Sequence, residues 1–497
     1  MKRRLLSLLL ACLLLTGCAA PPAPSAAPAS PLPTDNGAFV APIGDAGLSY
    51  QATAPLYLPT ADGLHLLAVY EELTFTYSLH PAETILRALL SHPGNSRVTP
   101  ACSAEVVPAG SDPVEVAGGV ATVNLSVAAQ ELPRQELHTL CRAITATLCE
   151  LPDVDYVSIL VGGIPVAMDD GGWLPLGALA AQPGQELPVL WEQLLARRVP
   201  ADTLPTAVPL TATATLYFPL ADGSGVSAEP RRITFDGQHP QQLVLGLLEA
   251  LATGPDVTPV AAQLPDLSHL MTSAPEIMTL PDGTLRATLR FTGDLRSWLT
   301  STGADPSCAF AGVVLTLTSF VPSLSEVCIL TGDRAVTSVV CPAQGSRLFP
   351  GGVHTRAAYS GYLLAQCTVY AAAEHLLTTH TLSLPYRSVR SPRALLLSLP
   401  ADPSPGAVLP VAITDADVLG LAVSGDTLLI NLSARYTDAL RAAPERQRQA
   451  VYAIVNTVCS GLDVRRVRFF FDSAVVDDLG SDILWSGEFF PAPGLIR

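Results

Sequence analysis

Thr147-Leu-Cys-Glu-Leu-Pro-Asp-Val-Asp-Tyr-Val-Ser-Ile159 returns twice along the chain, as Leu317-Thr-Ser-Phe-Val-Pro-Ser-Leu-Ser-Glu-Val-Cys-Ile329 and as Thr457-Val-Cys-Ser-Gly-Leu-Asp-Val-Arg-Arg-Val-Arg-Phe469. The three align without gaps, and each reads as a helix end, a tight turn and a strand. The segment before each turn carries an apolar stripe. The stripes are Leu137, Leu140, Cys141, Ile144 and Leu148; Phe310, Val313, Val314 and Leu317; and Val451, Ile454, Val455 and Val458. Steps of three, four and seven residues put each set on one helix face, as a core-packed helix requires. Before each helix stands a short strand opened by a glycine turn: Gly119 to Ser126, Gly283 to Arg290 and Gly425 to Ser433.

Further upstream each copy opens alike. Ala54-Pro-Leu-Tyr-Leu58, Ala214-Thr-Leu-Tyr-Phe218 and Cys367-Thr-Val-Tyr370 favour strands. Ala61-Asp-Gly63 and Ala221-Asp-Gly223 are turn signals, followed by second strands such as Glu72 to Tyr77 and Arg232 to Phe235. A helix then starts at Pro81, Pro240 or Pro392, because proline suits the first helical turn, where its missing N–H is not needed. Each unit is therefore α+β, with order near β-β-α-β-α-β and two helices packed on a small sheet. Tyr57, Tyr217 and Tyr370 recur 160 and 153 residues apart. That period is a domain's length, so three tandem domains are expected as beads on a string.

Composition marks the divisions. Residues 1–17 read as a signal peptide and 18–49 as an Ala/Pro/Ser tether. Domains are expected at 50–170, 210–341 and, in degenerate form, 362–485. The Pro- and Gly-rich stretches 171–209 and 342–361 read as linkers, and 486–497 as a tail. Hydrophobic residues form 49% of the 497 and charged residues 14%, which excludes a disordered chain. A formal charge of −16 argues against a nucleic-acid partner, which demands a basic surface.

At the N-terminus Lys2, Arg3 and Arg4 precede an apolar run from Leu5 to Leu15, too short to cross a bilayer core of about 30 Å as a helix. Leu15-Thr16-Gly17-Cys18 resembles a bacterial lipobox, which implies cleavage before Cys18 and a lipid on its sulfur; a plain secretory signal with an incidental cysteine is the alternative. Residues 19–36 then form a semi-extended tether at about 3 Å per residue. The expected location is the extracytoplasmic face of the cell membrane. Eight cysteines follow: Cys102, Cys141, Cys149, Cys308, Cys328, Cys341, Cys367 and Cys459. An even number outside the cytoplasm permits disulfides, whereas positions inside apolar stripes favour buried thiols.

The middle unit carries Leu216-Tyr-Phe-Pro219, Leu247-Leu-Glu-Ala-Leu-Ala-Thr-Gly-Pro255 and Leu264-Pro265. The first carries Ala121-Thr-Val-Asn-Leu-Ser126, Ala143-Ile-Thr-Ala-Thr-Leu148, Val157-Ser-Ile-Leu-Val161 and Gly163. These resemble the GerMN-domain family of sporulation and germination lipoproteins over most of 50–170 and 210–341. The third copy departs from the pattern: its first helix is short, Leu399-Pro400 replaces Gly-Pro, and the likeness rests on 425–471. The resemblance implies a fold similar to ring-building domains. It also implies a non-catalytic scaffold or assembly role in the spore or cell envelope, during sporulation or germination, with the forespore envelope as one site. The alternative is an accessory binding module of a vegetative envelope sensor or wall machinery. Expected partners are the cytoplasmic membrane, through the lipid on Cys18, envelope proteins and further copies of the chain.

No G-x-S-x-G, H-E-x-x-H, G-x-G-x-x-G or Walker A sequence occurs, so no catalytic residue, cofactor or metal is expected. His375 and His380 stand five apart, off a common helical face. Asp169-Asp170-Gly171-Gly172, Asp153 with Asp155, and Asp477-Asp478 read as solvated turns. Asn-Leu-Ser at 124–126 and 431–433 matches a glycosylation pattern but reads better as strand-end chemistry. Arg465, Arg466 and Arg468 with Phe469 to Phe471 read as a last strand with alternating faces, although a binding edge has the same composition. The tail from Trp485 to Pro493 either packs on the third domain or offers an apolar patch.

Overall fold

A computed structural model of the chain describes residues 39–45, 48–77, 79–169, 172–198, 209–258, 261–402 and 404–497. The signal peptide, Cys18 and most of the tether lie outside the described residues, as do Asp170 and Gly171.

The first unit opens with a hairpin of β1 (Ser49–Pro59) and β2 (Leu66–Thr76), followed by α1 (Pro81–Ser91). A four-stranded sheet follows, of β3 (Val114–Ala117), β4 (Val120–Leu125), β5 (Tyr156–Val161) and β6 (Ile164–Pro165). Helix α2 (Arg134–Leu148) crosses over between the parallel strands β4 and β5, and β3 and β6 run antiparallel on the two edges. After α3 (Leu187–Leu195) the second unit repeats the plan with β7 (Leu210–Pro219), β8 (Val226–Phe235), α4 (Pro240–Ala252), β9 (Glu276–Thr279) and β10 (Leu285–Phe291). It continues through α5 (Leu295–Ser301), α6 (Pro306–Phe320), β11 (Leu324–Thr331) and β12 (Arg334–Ala335). A small hairpin, β13 (Ser338–Cys341) with β14 (Gly345–Leu348), comes next, and β15 (Val353–His354) pairs with β11. The third unit comprises β16 (Leu364–Ala373), β17 (Leu376–Pro385), α7 (Pro392–Leu397), β18 (Val418–Ser424) and β19 (Thr427–Leu432). It closes with α8 (Ala434–Ala442), α9 (Gln447–Gly461), β20 (Arg466–Phe471) and β21 (Glu488–Phe489).

The fold class is α+β in three tandem units of one plan, with two additional strands flanking each parallel pair. Most of the extra strands have two to four residues, β9 is mostly exposed and the seven-residue β18 is buried on both faces, so they carry no period-2 signal. The stripes fall where expected: Leu137, Leu140, Ile144 and Leu148 are at most 1% exposed, each contributing about 1.5–3 kcal/mol by burial. Pro81, Pro240 and Pro392 occupy first helical positions, capped by His80, His239 and Ser391. One hydrogen bond recurs in every unit. The backbone N–H of Tyr57, Tyr217 and Tyr370 donates to Oγ1 of Thr147, Thr316 and Thr457, at 2.9, 3.0 and 3.1 Å. Thr316, not Leu317, is thus the helical equivalent of Thr147. The ungapped alignment slips by one residue here, because the middle unit's turn is longer, with Ser323 at φ 62° and a register shift between Leu285 and Arg286.

The units are not beads on a string. One apolar cluster runs through the first two and takes in Leu363, Ala365 and Tyr386 of the third, while the third unit's cluster takes in Leu48 and Tyr77. Tyr77 Oη donates to the Asp463 carbonyl at 3.1 Å, and Tyr386 Oη to the Asp112 carboxylate at 2.5 Å. Gly118, at φ +58°, lies so close to the middle unit that a Cβ would stand 1.6 Å from the Ala228 oxygen.

The described parts of the stretches read as linkers and tail are also packed. Leu174 and Leu179 bury in the cluster shared by the first two units, Leu187 and Leu190 bury beside Leu66 and Tyr57 of the first, and Phe349, His354, Tyr359 and Tyr362 bury on the second. Gly and Pro mark turns there, and aromatic anchors between them supply the burial. Trp485 is 1% exposed against Phe469 and Phe471, and β21 belongs to the third sheet.

Candidate interaction surface

In each sheet one face packs on its helices and the other looks outward. The strand registers make these outer faces equivalent: Thr122 lies opposite Ser158, Thr288 opposite Cys328 and Leu429 opposite Arg468. Their surroundings differ sharply.

In the first unit the outer face is covered. Glu115, Thr122, Ser158 and Leu160 are at most 8% exposed. Ser158 Oγ meets Thr215 Oγ1 of the second hairpin at 3.5 Å. Arg356 reaches in to pair with Glu115, donates to Ser319 Oγ at 2.6 Å, and lies 5.7 Å over the Tyr217 ring. Burial alone would lower the Arg356 pKa, yet the Glu115 carboxylate and the Tyr217 hydroxyl hold it above its ordinary value.

In the third unit the outer face, Ala422, Leu429, Asn431 and Phe470, is at most 2% exposed. A strap of residues 39–45 covers it, with Phe39 and Ala41 packing on Ala422, Leu429 and Phe470. The Gly44 N–H donates to the Leu419 oxygen at 2.8 Å, and the Leu421 N–H to the Gly44 oxygen at 3.0 Å. Asn431 Nδ2 donates to the Pro42 oxygen at 2.9 Å, and Arg393 grips Asp45 at 2.6 and 2.8 Å. Residues 39–45, assigned from composition to the tether, are thus part of the folded body.

In the middle unit the outer face is open. Arg286, Thr288, Arg290, Glu326, Cys328 and Leu330 are all partly accessible, and Met278 is 49% exposed. Arg286 Nε donates to Glu326 at 2.6 Å and Arg290 Nε to Glu276 at 3.3 Å. These half-exposed pairs are weak individually and free to exchange partners.

Other singled-out residues have local roles. Asn124 Oδ1 accepts the Gly163 N–H at 2.7 Å, and Asn431 Oδ1 the Ser473 N–H at 3.0 Å, so both Asn-Leu-Ser sites serve strand ends. Asp169 accepts the Leu174 N–H, and Asp478 the Gly480 N–H. Asp153 accepts from His80 Nε2 at 2.8 Å; burial opposes its charge, but the ring holds its carboxyl below the usual range. His375 lies in the turn between β16 and β17, and His380 on β17. Arg466 pairs with Asp426 and Glu488, while Phe469 and Phe471 enter the core. No group of three or more His, Cys, Asp or Glu side chains that could hold a metal occurs among the described residues. Among them, too, no helix is long and apolar enough to cross a membrane. Sequence reasoning missed Glu115, Arg356, the strap and the open face; the exchange of covers between distant units leaves no local periodic signal.

The family model described as Germane, sporulation and spore germination, matches residues 55–167 and 368–477. These segments are the first and third units. The third, expected to be the degenerate copy, is matched, whereas the middle one is not. No curated protein matches the chain. Among solved structures, the tandem GerMN domains of the sporulation protein GerM from Bacillus subtilis align at 18% identity and TM-score 0.21, covering 57% of this chain and 91% of that one. The first GerMN domain of the same protein aligns at 20% identity and TM-score 0.19, covering 22% and 83%.

Proposed function

With Germane domains of sporulation and spore germination in two of its three units, we propose that the chain is a non-catalytic scaffold or assembly factor of the spore or cell envelope. In this reading a lipid on Cys18 holds it to the extracytoplasmic face of the membrane. The observation that carries the scaffold reading is the open outer face of the middle sheet. The same face is filled by a hairpin and the 355–360 segment in the first unit, and by an extended strap in the third. Its natural occupant is therefore polypeptide, and the envelope partner presents an extended or hairpin segment able to re-pair Arg286, Arg290, Glu276 and Glu326.

The test is a fluorescent fusion of the full chain, followed through growth and sporulation in the bacterium that encodes it. Enrichment at the forespore envelope is expected, and its loss, with a fall in sporulation, in a membrane-attached Arg286→Glu/Arg290→Glu variant. Wild-type behaviour of that variant would overturn the scaffold reading. Uniform signal confined to growing cells would overturn the sporulation part. Cys18→Ser should release the protein from membranes, and undiminished retention would refute the lipid anchor.

A further inference from the structure

Cys308 and Cys341 stand apart from the other cysteines. Their sulfurs lie 4.0 Å apart, and the residues are 0% and 1% exposed. Both sulfurs lie 3.5 Å from one acceptor, the Gly223 oxygen in the turn of the second hairpin. Two thiols thus share one carbonyl, with Ser307 Oγ 4.0 Å from the Cys308 sulfur as a further polar neighbour, an arrangement of facing buried sulfurs that suits a disulfide.

We propose that Cys308 and Cys341 are joined by a disulfide in the mature protein. The proposal rests on the extracytoplasmic reading for the supply of oxidant, since dithiols there meet oxidised thiol–disulfide carriers. One cysteine thiolate attacks the carrier's disulfide, forming a mixed disulfide and releasing one carrier thiol. The second cysteine thiolate then attacks the bound cysteine sulfur and expels the other carrier sulfur as a thiol. The two cysteines lose two protons and two electrons in all, and the carrier gains them. In the finished fold the sulfurs must close from 4.0 Å to ~2.05 Å. Burial raises the Cys308 thiol's pKa, so the exchange belongs to folding, before α6 is covered.

The link has a structural consequence. Cys308 sits in the first turn of α6, and Cys341 ends β13, immediately before the stretch 342–361 that carries Arg356. A bond between them pins that stretch to the central helix and so supports the clamp on the first unit.

The test is refolding of the reduced full chain in a mixture of oxidised and reduced glutathione, then alkylation of free thiols and mapping of peptides by mass spectrometry. The expected product is a linked peptide pair containing positions 308 and 341, two hydrogens lighter than the reduced peptides. It should come with a higher urea midpoint that reductant abolishes. In a Cys308→Ser/Cys341→Ser variant the midpoint should no longer depend on reductant. Both cysteines recovered as alkylated thiols, or paired with other cysteines, would overturn the proposal. If the link forms on refolding but protein from cells carries free thiols at both positions, the pairing chemistry stands and the extracytoplasmic reading fails.

Discussion

Replacing Arg356 tests whether the stretch 342–361 is a slack connection or a clamp. Arg356→Met keeps an unbranched stem of similar reach but removes the guanidinium. It strands Glu115, whose side chain is 10% exposed, and takes a 2.6 Å hydrogen bond from Ser319. Breaking a buried ion pair by removing one partner costs about 3–5 kcal/mol, because the remaining charge has no solvent to repay its desolvation. Ser319 retains its 2.6 Å bond to the Leu315 oxygen, so its loss adds little. Stacking over Tyr217 adds ~0.5–2 kcal/mol. The expected destabilisation is therefore at the upper part of ~3–5 kcal/mol. Urea unfolding at neutral pH, followed by tryptophan fluorescence and circular dichroism, reads it as a fall in midpoint. The companion variant Glu115→Gln/Arg356→Met leaves no buried charge and should recover most of the loss, since paired replacement of a buried ion pair is often neutral. An Arg356→Met midpoint within error of wild type, equivalent to less than ~0.5 kcal/mol as for ordinary surface changes, would refute the clamp and restore the linker reading.

Two further outcomes follow from other parts of the fold. Burial holds His138 down to about 3 and His354 down to about 4, against an ordinary 6.5. The unfolded chain therefore binds protons at these sites between pH 6.5 and the folded values, so their stability contribution is complete above pH 6.5 and drains away as pH falls towards 4. At about 1.4 kcal/mol per unit, His354 alone accounts for roughly 3 kcal/mol. Urea midpoints should fall over that range, less steeply in His354→Gln, and a flat profile in wild type would contradict the neutral, buried histidines. Separately, a Cβ at Gly420 would stand 2.3 Å from the Pro42 oxygen. Gly420→Ala should lift the strap and raise amide exchange at Gly44 and Leu421 by orders of magnitude; unchanged protection would refute the docked strap.

What was legible in the sequence was what is local. The stripes on α2 and α9, the proline starts and the turn before each parallel strand depend on contacts within one unit, and their periodicity shows directly. The register of the middle turn was not legible, because one inserted residue leaves the hydrophobic pattern of the strand unchanged while moving Thr316 against Leu317. The stretch 342–361 and the strap at 39–45 were misread for a shared reason. Each has loop composition, and each is held by residues far away in sequence, Glu115 for one and Asn431 with Arg393 for the other. The candidate surface was invisible for the same reason: exposure of a face depends on what other units leave uncovered.

The middle unit explains both its mismatch to the family model and its open face. Every residue of α6 from Ser307 to Phe320 is buried, whereas α2 and α9 keep a polar side. Around α6 pack β7, β6, β13 and the 356–362 turn, so neighbouring units close the side a lone domain would leave to solvent. A helix buried all round loses amphipathic patterning and reads as uniformly apolar. The outer strand face shows the converse change. Where the other units place Asn124 and Asn431 to hold the turn after the second parallel strand, the middle unit has Arg290, which pairs with Glu276 at the surface. The sequence thus departs from the domain pattern in opposite directions on its two faces, towards apolar where the unit serves as hub and towards charged where its sheet meets solvent. Charge pairs on a face that elsewhere in the same chain is sealed by polypeptide fit the separable partner proposed above, being soluble when empty and able to exchange ion pairs when covered.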